Sequence, residues 1–188
     1  MRRSQKKGVF AQIVTLAVGV VLGVGLTLVT SSFAGPMKAP SNPESLVALA
    51  QLMDTEHRRV DLLLEKGDVA GAIEALEDLR KGKWPNRDQG GDAAIQLRHD
   101  AYGRLLRLRI DHPKVDTKTD QELLGLLDEG LGNEADLVPD NVFTARLVAI
   151  RGEVLEGLGR DDDALLAYER ALDINRGLLD DLLNEKRK

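Results

Sequence analysis

The chain has 188 residues, and its 26 Lys+Arg and 31 Asp+Glu give a formal charge of −5. Four of the cations and none of the acids lie in residues 1–35, so residues 36–188 carry 22 cations against 31 acids. This acidic balance argues against a general nucleic-acid binder, and the absence of cysteine excludes disulfides, thiol nucleophiles and Cys-based metal sites. About 150 residues follow the N-terminal stretch, which suits one domain.

An apolar run near the N-terminus predicts one membrane span. The 21 residues from 9 to 29 are uncharged, and as a helix they would measure about 31 Å, close to the hydrocarbon thickness of a bilayer. The cations that precede them should stay in the cytoplasm, which sends the rest of the chain across a bacterial inner membrane into the periplasm. We expect a cytoplasmic basic tail at 1–7, a transmembrane signal-anchor helix at 8–32, a linker at 33–43 and a helical domain at 44–188.

Two features of this segment leave alternatives open. Ser32, Phe33 and Ala34 have the small-x-small form of a signal-peptidase site, and cleavage near Ala34 would release a secreted domain, although the apolar run exceeds a usual signal core. Gly19 and Gly23 form a G-x-x-x-G pair that can let two membrane helices pack closely, but glycine is also common in spans without pairing.

Helix signals begin after the linker. Asn42 can cap a first helix with Pro43 at its first position, and Gly67 ends it. Asp68 caps a second helix, which stops near Gly82. The apolar positions predicted to be buried are Leu46, Leu49, Leu52/Met53, Val60, Leu63/Leu64, Val69, Ala72/Ile73, Leu76 and Leu79.

A third and a fourth helix follow a loop at residues 81–91. Asp92 opens the third helix and His112, before a proline, ends it. Thr119 and Glu122 have capping-box spacing and start the fourth. The predicted buried set is Ile95, Leu97, Tyr102, Leu105/Leu106, Leu108, Leu123, Leu124, Leu126, Leu127 and Leu131.

Asp140 opens a fifth helix, Gly159 breaks it, and the acids at 161–163 start a sixth. Residues 177–186 should form or extend a terminal helix whose Leu178/Leu179 and Leu182/Leu183 cover the end of the domain. No window alternates with period two, so the predicted fold is all-α. The inward-facing residues are predicted to be Val142, Leu147, Ile150, Leu155, Leu158, Ala164/Leu165, Tyr168 and Ala171/Leu172.

Residues 158–175 and 65–80 are similar to each other. The aligned pairs are Gly159 with Gly67, Ala164 with Ala72, and Tyr168 with Leu76. This pattern resembles the tetratricopeptide repeat, a helical hairpin of 34 residues. Residues 145–178 span that length, 53–86 are a weaker copy and 92–131 a divergent one. The repeat-packing positions of the family that the chain matches are Gly152, Gly159, Ala164, Tyr168 and Ala171, with Ala72 and Leu76 in the weaker copy.

Catalytic and metal-binding motifs are missing from the sequence. It has no phosphate-binding loop, dinucleotide fingerprint, nucleophile elbow or H-E-x-x-H. His57, His99 and His112 lie on different predicted helices or ends, as isolated polar surface histidines do. The acids at 161–163 lack the alternation of a calcium loop and instead suit a helix start. We predict no enzyme, no cofactor and no metal.

Two other features allow an ordinary and a functional interpretation. The basic run of Arg98, Arg104, Arg107 and Arg109 is typical of a solvated helix face, although it could attract acidic lipid or peptide. Trp84 either folds back over a helix end or forms an exposed anchor for a partner.

The tetratricopeptide resemblance implies a short α-solenoid of about three hairpins with a C-terminal capping helix, whose groove receives a peptide of another protein. The layout is similar to that of small bacterial inner-membrane proteins with one N-terminal span and an exported repeat domain. We expect a scaffold for other envelope proteins, favouring basic or extended segments and no nucleic acid, or alternatively a self-assembling homo-oligomer. The groove-facing positions are Asp54, His57, Asp61 and Leu64 in the first repeat, and Arg146, Ala149, Glu153 and Glu156 in the last.

Overall fold

The computed structural model of the protein describes residues 38–132 and 140–185, which belong to one compact unit. They form helices and connecting segments without a strand, which confirms the all-α prediction for this part of the chain. The helices are α1 (Pro43–Glu65), α2 (Val69–Lys81), α3 (Arg87–Asp111), α4 (Asp120–Leu131), α5 (Val142–Gly157) and α6 (Asp161–Glu185).

The predicted membrane segment lies outside the described residues. This applies to the basic tail at 1–7, the span at 8–32, the pair Gly19 and Gly23, and the cleavage site near Ala34. Between residues 38 and 132 and between 140 and 185, no helix is both long enough and apolar enough to cross a bilayer.

Side-chain caps fix most helix starts. Asn42, Asp68 and Thr119 cap α1, α2 and α4 as predicted, and each accepts a hydrogen bond from a backbone N–H three residues further on. The start of α5 differs from the prediction by one residue. Asn141 rather than Asp140 is its cap, because the Asn141 side chain accepts from two N–H groups of the first turn.

The start of α3 differs from the predicted loop at 81–91. Residues 87–90 already form a helical turn, because Asn86 and Gln89 make a capping box. Gly91 then interrupts the helix with φ 66° and ψ −167°, a conformation that only glycine adopts readily. The helix continues from Asp92, the residue predicted to open it.

The segment before α1, residues 38–42, is bound to this interruption. The Lys38 N–H donates to Asp92 Oδ2 at 2.7 Å, and the Asp92 N–H donates to the Lys38 carbonyl oxygen at 3.1 Å. The Lys38 ammonium forms an ion pair with Asp88, and the Asn42 N–H donates to the Gln89 carbonyl oxygen at 3.1 Å. We call this contact the N-terminal clasp. It ties the last residues of the predicted linker to the middle of the fold.

Successive helices pack as neighbouring hairpins, a solenoid-like order. The helix α1 packs on α2, and α3 lies against α1, α2, α4 and α5, while α5 also contacts α4 and α6. Within the described part of the chain, α3 contributes to two apolar cores: Leu105 belongs to the core with α1 and α2, and Leu106 to the core with α4 and α5. Both side chains are fully buried.

A buried ion cluster joins α2 to α3. The Arg109 guanidinium is 4% exposed and contacts Glu77 of α2 and Asp116 of the α3–α4 connection. Glu77 also binds Arg80 at 2.9 Å, and Arg80 reaches Glu129 of α4. Burial opposes the ionisation of Glu77, but these two arginines outweigh it and lower its pKa. The interpretation of Arg109 as part of a solvated face is therefore wrong.

The last helix is continuous through Gly177, and its leucines do not cover the end of the domain. Leu165 and Leu172, predicted to be inward-facing, are 59% and 49% exposed, and Leu179 is 55% exposed. Among the described helices, α5 is the one with extensive contacts to α6, and these leucines lie away from the side of α6 that is buried. Val142, also predicted to be buried, is 56% exposed at the start of α5.

Candidate protein-binding face

Three helices that alternate along the chain, α1, α3 and α5, lie side by side. Several of their polar side chains contact one another between neighbouring helices, and we call the surface to which they belong the three-helix face. The sequence predicted only the members from α1 and α5, while α3 adds the positions between them. The face consists of Asp54, His57 and Asp61 on α1, Asp100, Arg104 and Arg107 on α3, and Arg146, Glu153 and Glu156 on α5.

Between α1 and α3 there is one ion pair and one weaker contact. Arg104 pairs with Asp61, and His57 Nδ1 lies 3.8 Å from Asp100 Oδ2. Burial lowers the pKa of His57, and Arg104 adds to this, whereas Asp100 acts in the opposite direction. His57 is therefore mainly neutral at pH 7 and does not form an ion pair with Asp100. The cationic partner of Asp100 is on another helix.

That partner is on α5. Arg146 Nη1 lies 3.2 Å from Asp100 Oδ1, and Arg107 donates to both Glu153 oxygens, at 3.2 and 2.7 Å. The hydrogen bond that Arg107 donates to Glu153 raises the pKa of Arg107, which keeps the guanidinium charged. Arg104 and Arg107 each form an ion pair that joins α3 to a neighbouring helix. They are therefore neither a basic patch open to acidic lipid or peptide nor simply a solvated helix face.

The ion pairs leave the ends of the face more acidic than its middle. Asp61 and Glu153 have arginine partners, whereas in the described part of the chain Asp54 has no ion-pair partner. Glu156 accepts a hydrogen bond from the neutral Tyr168 hydroxyl at 3.0 Å. The face holds five carboxylates and three arginines. Its uncompensated negative charge is therefore concentrated at Asp54 and Glu156.

The repeat-packing positions lie where the hairpins are tightest. A Cβ on Gly152 would approach the Tyr168 ring to 2.7 Å, so glycine is required for α5 and α6 to pack as they do. Gly159 ends the hairpin turn with φ 69°. The alanine and leucine positions of the pattern are all buried, namely Ala72, Leu76, Ala164 and Ala171.

Sequence reasoning missed a second tyrosine–glycine contact, in the divergent hairpin. A Cβ on Gly130 of α4 would approach the Tyr102 ring of α3 to 2.6 Å. Burial, together with the bond it donates to Glu129, raises the pKa of the Tyr102 hydroxyl to about 12. Here tyrosine is on the first helix and glycine on the second, the reverse of α5 and α6. The overlay at fixed spacing could not detect an exchange of this kind.

The three histidines do not converge. His99 was predicted to be a surface residue but is fully buried, with Nδ1 2.8 Å from Thr144 Oγ1. Burial, then the charge of Arg98, lowers its pKa to about 4. His112 is the C-cap of α3. In the described ranges no group of three His, Asp or Glu side chains could hold a metal ion.

Two further alternatives are decided by the structure. Trp84 folds back over the end of α2, where its indole N–H donates to the Arg80 carbonyl oxygen at 3.1 Å. The acids at 161–163 occupy the first turn of α6, where their negative charges interact favourably with the positive end of the helix dipole.

Comparison with models of protein families, with curated proteins and with solved structures finds no match to this chain. These comparisons therefore add no support to the tetratricopeptide resemblance.

Proposed function

We propose that this protein is a membrane-anchored scaffold with a tetratricopeptide-like domain, and that it binds other envelope proteins through the three-helix face. The observation that supports the proposal best is the side-by-side arrangement of α1, α3 and α5. An extended segment that crosses the three helices would meet charged side chains of each of them. The arrangement of hairpins and the glycine–tyrosine contact of α5 and α6 favour the repeat interpretation.

The cellular location belongs to the same proposal and comes from the sequence. Residues 1–7 carry four cations, and the uncharged run that follows is long enough for one span. The domain would then work in the periplasm, either tethered or, after cleavage near Ala34, released.

The charge distribution suggests the chemistry of the partner. Within the described ranges Asp54 and Glu156 are the carboxylates of the face that form no ion pair, and they lie on α1 and α5, on either side of α3. A partner segment with basic residues near both ends would pair with them without displacing Arg104 or Arg107. Such complementarity acts mainly on the rate of association and its salt dependence.

Proximity labelling with the full chain tests location and partner binding together. A labelling enzyme fused after Lys188 should label periplasmic proteins. The double variant Asp54→Lys and Glu156→Lys should lose several-fold of the label on direct partners, because two attractive charges become repulsive. Asp61 and Glu153 are unsuitable for reversal, since a lysine there would face Arg104 or Arg107 and disturb the fold.

The matched control places the same charge changes on another surface. Glu74 and Asp78 are exposed on α2, outside the three-helix face, and Glu74→Lys with Asp78→Lys should leave the labelled set unchanged. Equal loss in both variants would show a general charge effect and contradict binding through this face. Labelling of cytoplasmic proteins alone would contradict the periplasmic location.

A second candidate, a self-assembling element, has its own supporting observation in the exposed leucines of α6. It does not depend on the three-helix face.

A further inference from the structure

The last helix carries a stripe of exposed leucines. Leu165, Leu172, Leu179 and Leu183 are each about half exposed or more, from 49% to 59%. Their spacings of seven, seven and four residues place them on one side of the helix. We call this set the α6 leucine stripe. On the opposite side of α6, Ala164, Ala167, Ala171 and Ile174 are buried, and Ala164 and Ala167 belong to the apolar core that α5 shares.

The α6 leucine stripe extends beyond the part of α6 that packs on α5. The helix α6 has 25 residues and α5 has 16, so the C-terminal part of α6 continues past its neighbour in the hairpin. Leu179 and Leu183 are in this part. Exposed leucines that recur on one side of a helix mark an interaction site more often than a scattered leucine does.

The charges beside the stripe indicate which partner fits it. Glu169 and Arg176 are exposed, lie seven residues apart and flank the same edge of the stripe. In an antiparallel pair of α6 helices, Glu169 of each copy faces Arg176 of the other, so two attractive pairs form. In a parallel pair the edge that carries Glu169 and Arg176 lies on opposite sides of the contact in the two copies, so neither attractive pair forms. We propose that the α6 leucine stripe pairs two copies of this chain in antiparallel orientation.

The charge pairing also sets the register. With Glu169 opposite Arg176, Leu165 lies against Leu179 of the second copy, and the two Leu172 side chains meet at the two-fold axis. Arg176 is free to make the exchange, because its present contact with Asp173 spans 3.6 Å between largely exposed side chains. A C2 contact of this type uses the same patch on both copies and closes on itself.

Single cysteines in the full chain test the register directly, since the natural sequence has no cysteine. In the antiparallel pair the two Leu172 positions are level. The two Leu179 positions are about 21 Å apart along the axis, at a rise of about 1.5 Å per residue. Leu172→Cys should therefore cross-link to itself with a short thiol reagent, and Leu179→Cys should not. Leu166→Cys is the control, an equally exposed leucine outside the stripe, and should not cross-link.

Charge exchange then tests the flanking pairs in the Leu172→Cys background. Glu169→Arg alone and Arg176→Glu alone should each lower the cross-linked fraction several-fold, and the double exchange should restore it. All these side chains are exposed, and circular dichroism of each purified variant checks that the helices are kept.

Three results would overturn the proposal. Self-cross-linking at Leu179→Cys would show a parallel pair. Absence of a cross-link at Leu172→Cys would show that the stripe serves another protein or none. Failure of the double exchange to restore the cross-link would reject the register. Binding at the three-helix face is measured separately, by proximity labelling, so none of these results tests it.

Discussion

The two tyrosines of the chain each lie over a glycine of the facing helix, Tyr168 over Gly152 and Tyr102 over Gly130. In both cases the hydroxyl donates to a glutamate of that same helix. The ring thus gains close packing while its polar end keeps a hydrogen bond. Glycine inside a helix lowers stability, so the packing that each of these glycines permits must offset that cost.

We expect Gly152→Ala to lower the free energy of unfolding by about 1–3 kcal/mol, because the added methyl group overlaps the Tyr168 ring. The matched control is Gly177→Ala in α6. Nothing lies within 4 Å of a Cβ there, so alanine should raise stability by up to about 1 kcal/mol. Urea unfolding of residues 36–188, followed by circular dichroism, measures both changes. Equal effects at the two sites would contradict the packing argument.

At the scale of elements, the helix starts could be predicted because a cap depends on neighbouring residues. Asn42, Asp68 and Thr119 each bond to an N–H three residues away, a pattern visible in the sequence. The N-terminal clasp could not be predicted in this way. Lys38 and Asp92 are 54 residues apart, and only the folded chain brings them together.

The clasp predicts how a protease attacks the chain. Gly91→Ala introduces a Cβ that would collide with the Lys38 carbonyl oxygen, at a backbone conformation that alanine rarely adopts. We expect trypsin to cleave after Lys38 several-fold faster in this variant, because the peptide bond between Lys38 and Ala39 is no longer held against α3. Mass spectrometry of a short digestion of the full chain identifies the cut.

Gly67→Ala is the control for that experiment. Its φ of 78° carries similar strain, but nothing lies within 4 Å of the added Cβ and the site is remote from the clasp. An equal gain in cleavage after Lys38 would attribute the effect to general loss of stability.

For the whole molecule, the buried His99 makes stability depend on pH. Its pKa falls from 6.5 to about 4 on folding, so between these values the unfolded chain binds the proton more readily. The contribution of His99 to the free energy of unfolding should be at its maximum above pH 6.5, and about 3 kcal/mol of it should be lost as the pH falls toward 4. The lowered pKa of His57 acts in the same direction. Urea unfolding of residues 36–188 at several pH values measures the slope.

The variant His99→Gln should flatten this pH dependence, because glutamine can still bond to Thr144 but does not titrate in this range. A lower stability at all pH values is compatible with the argument. A slope unchanged from that of the natural chain would contradict it and assign the pH dependence to other groups.

The limits of sequence reasoning have the same physical origin throughout the molecule. The apolar period identified the helices and most of both cores, because it needs only local spacing. The members of the three-helix face on α3 were missed, since Arg104 and Asp61 are 43 residues apart and Arg107 and Glu153 are 46 apart. The burial of His99 depends on Thr144 of α5, and the exposure of Leu165 depends on which side of α6 packs on α5. Neither is local.

The clasp also determines how mechanical load would enter the domain. Tension applied to the chain upstream of Lys38 would reach the start of α3 first, through the hydrogen bonds of Lys38 with Asp92 and of Asn42 with Gln89. The first hairpin, α1 and α2, would be bypassed until those bonds break. A tether pulling on this domain would therefore grip it at its central helix and leave the first hairpin relaxed.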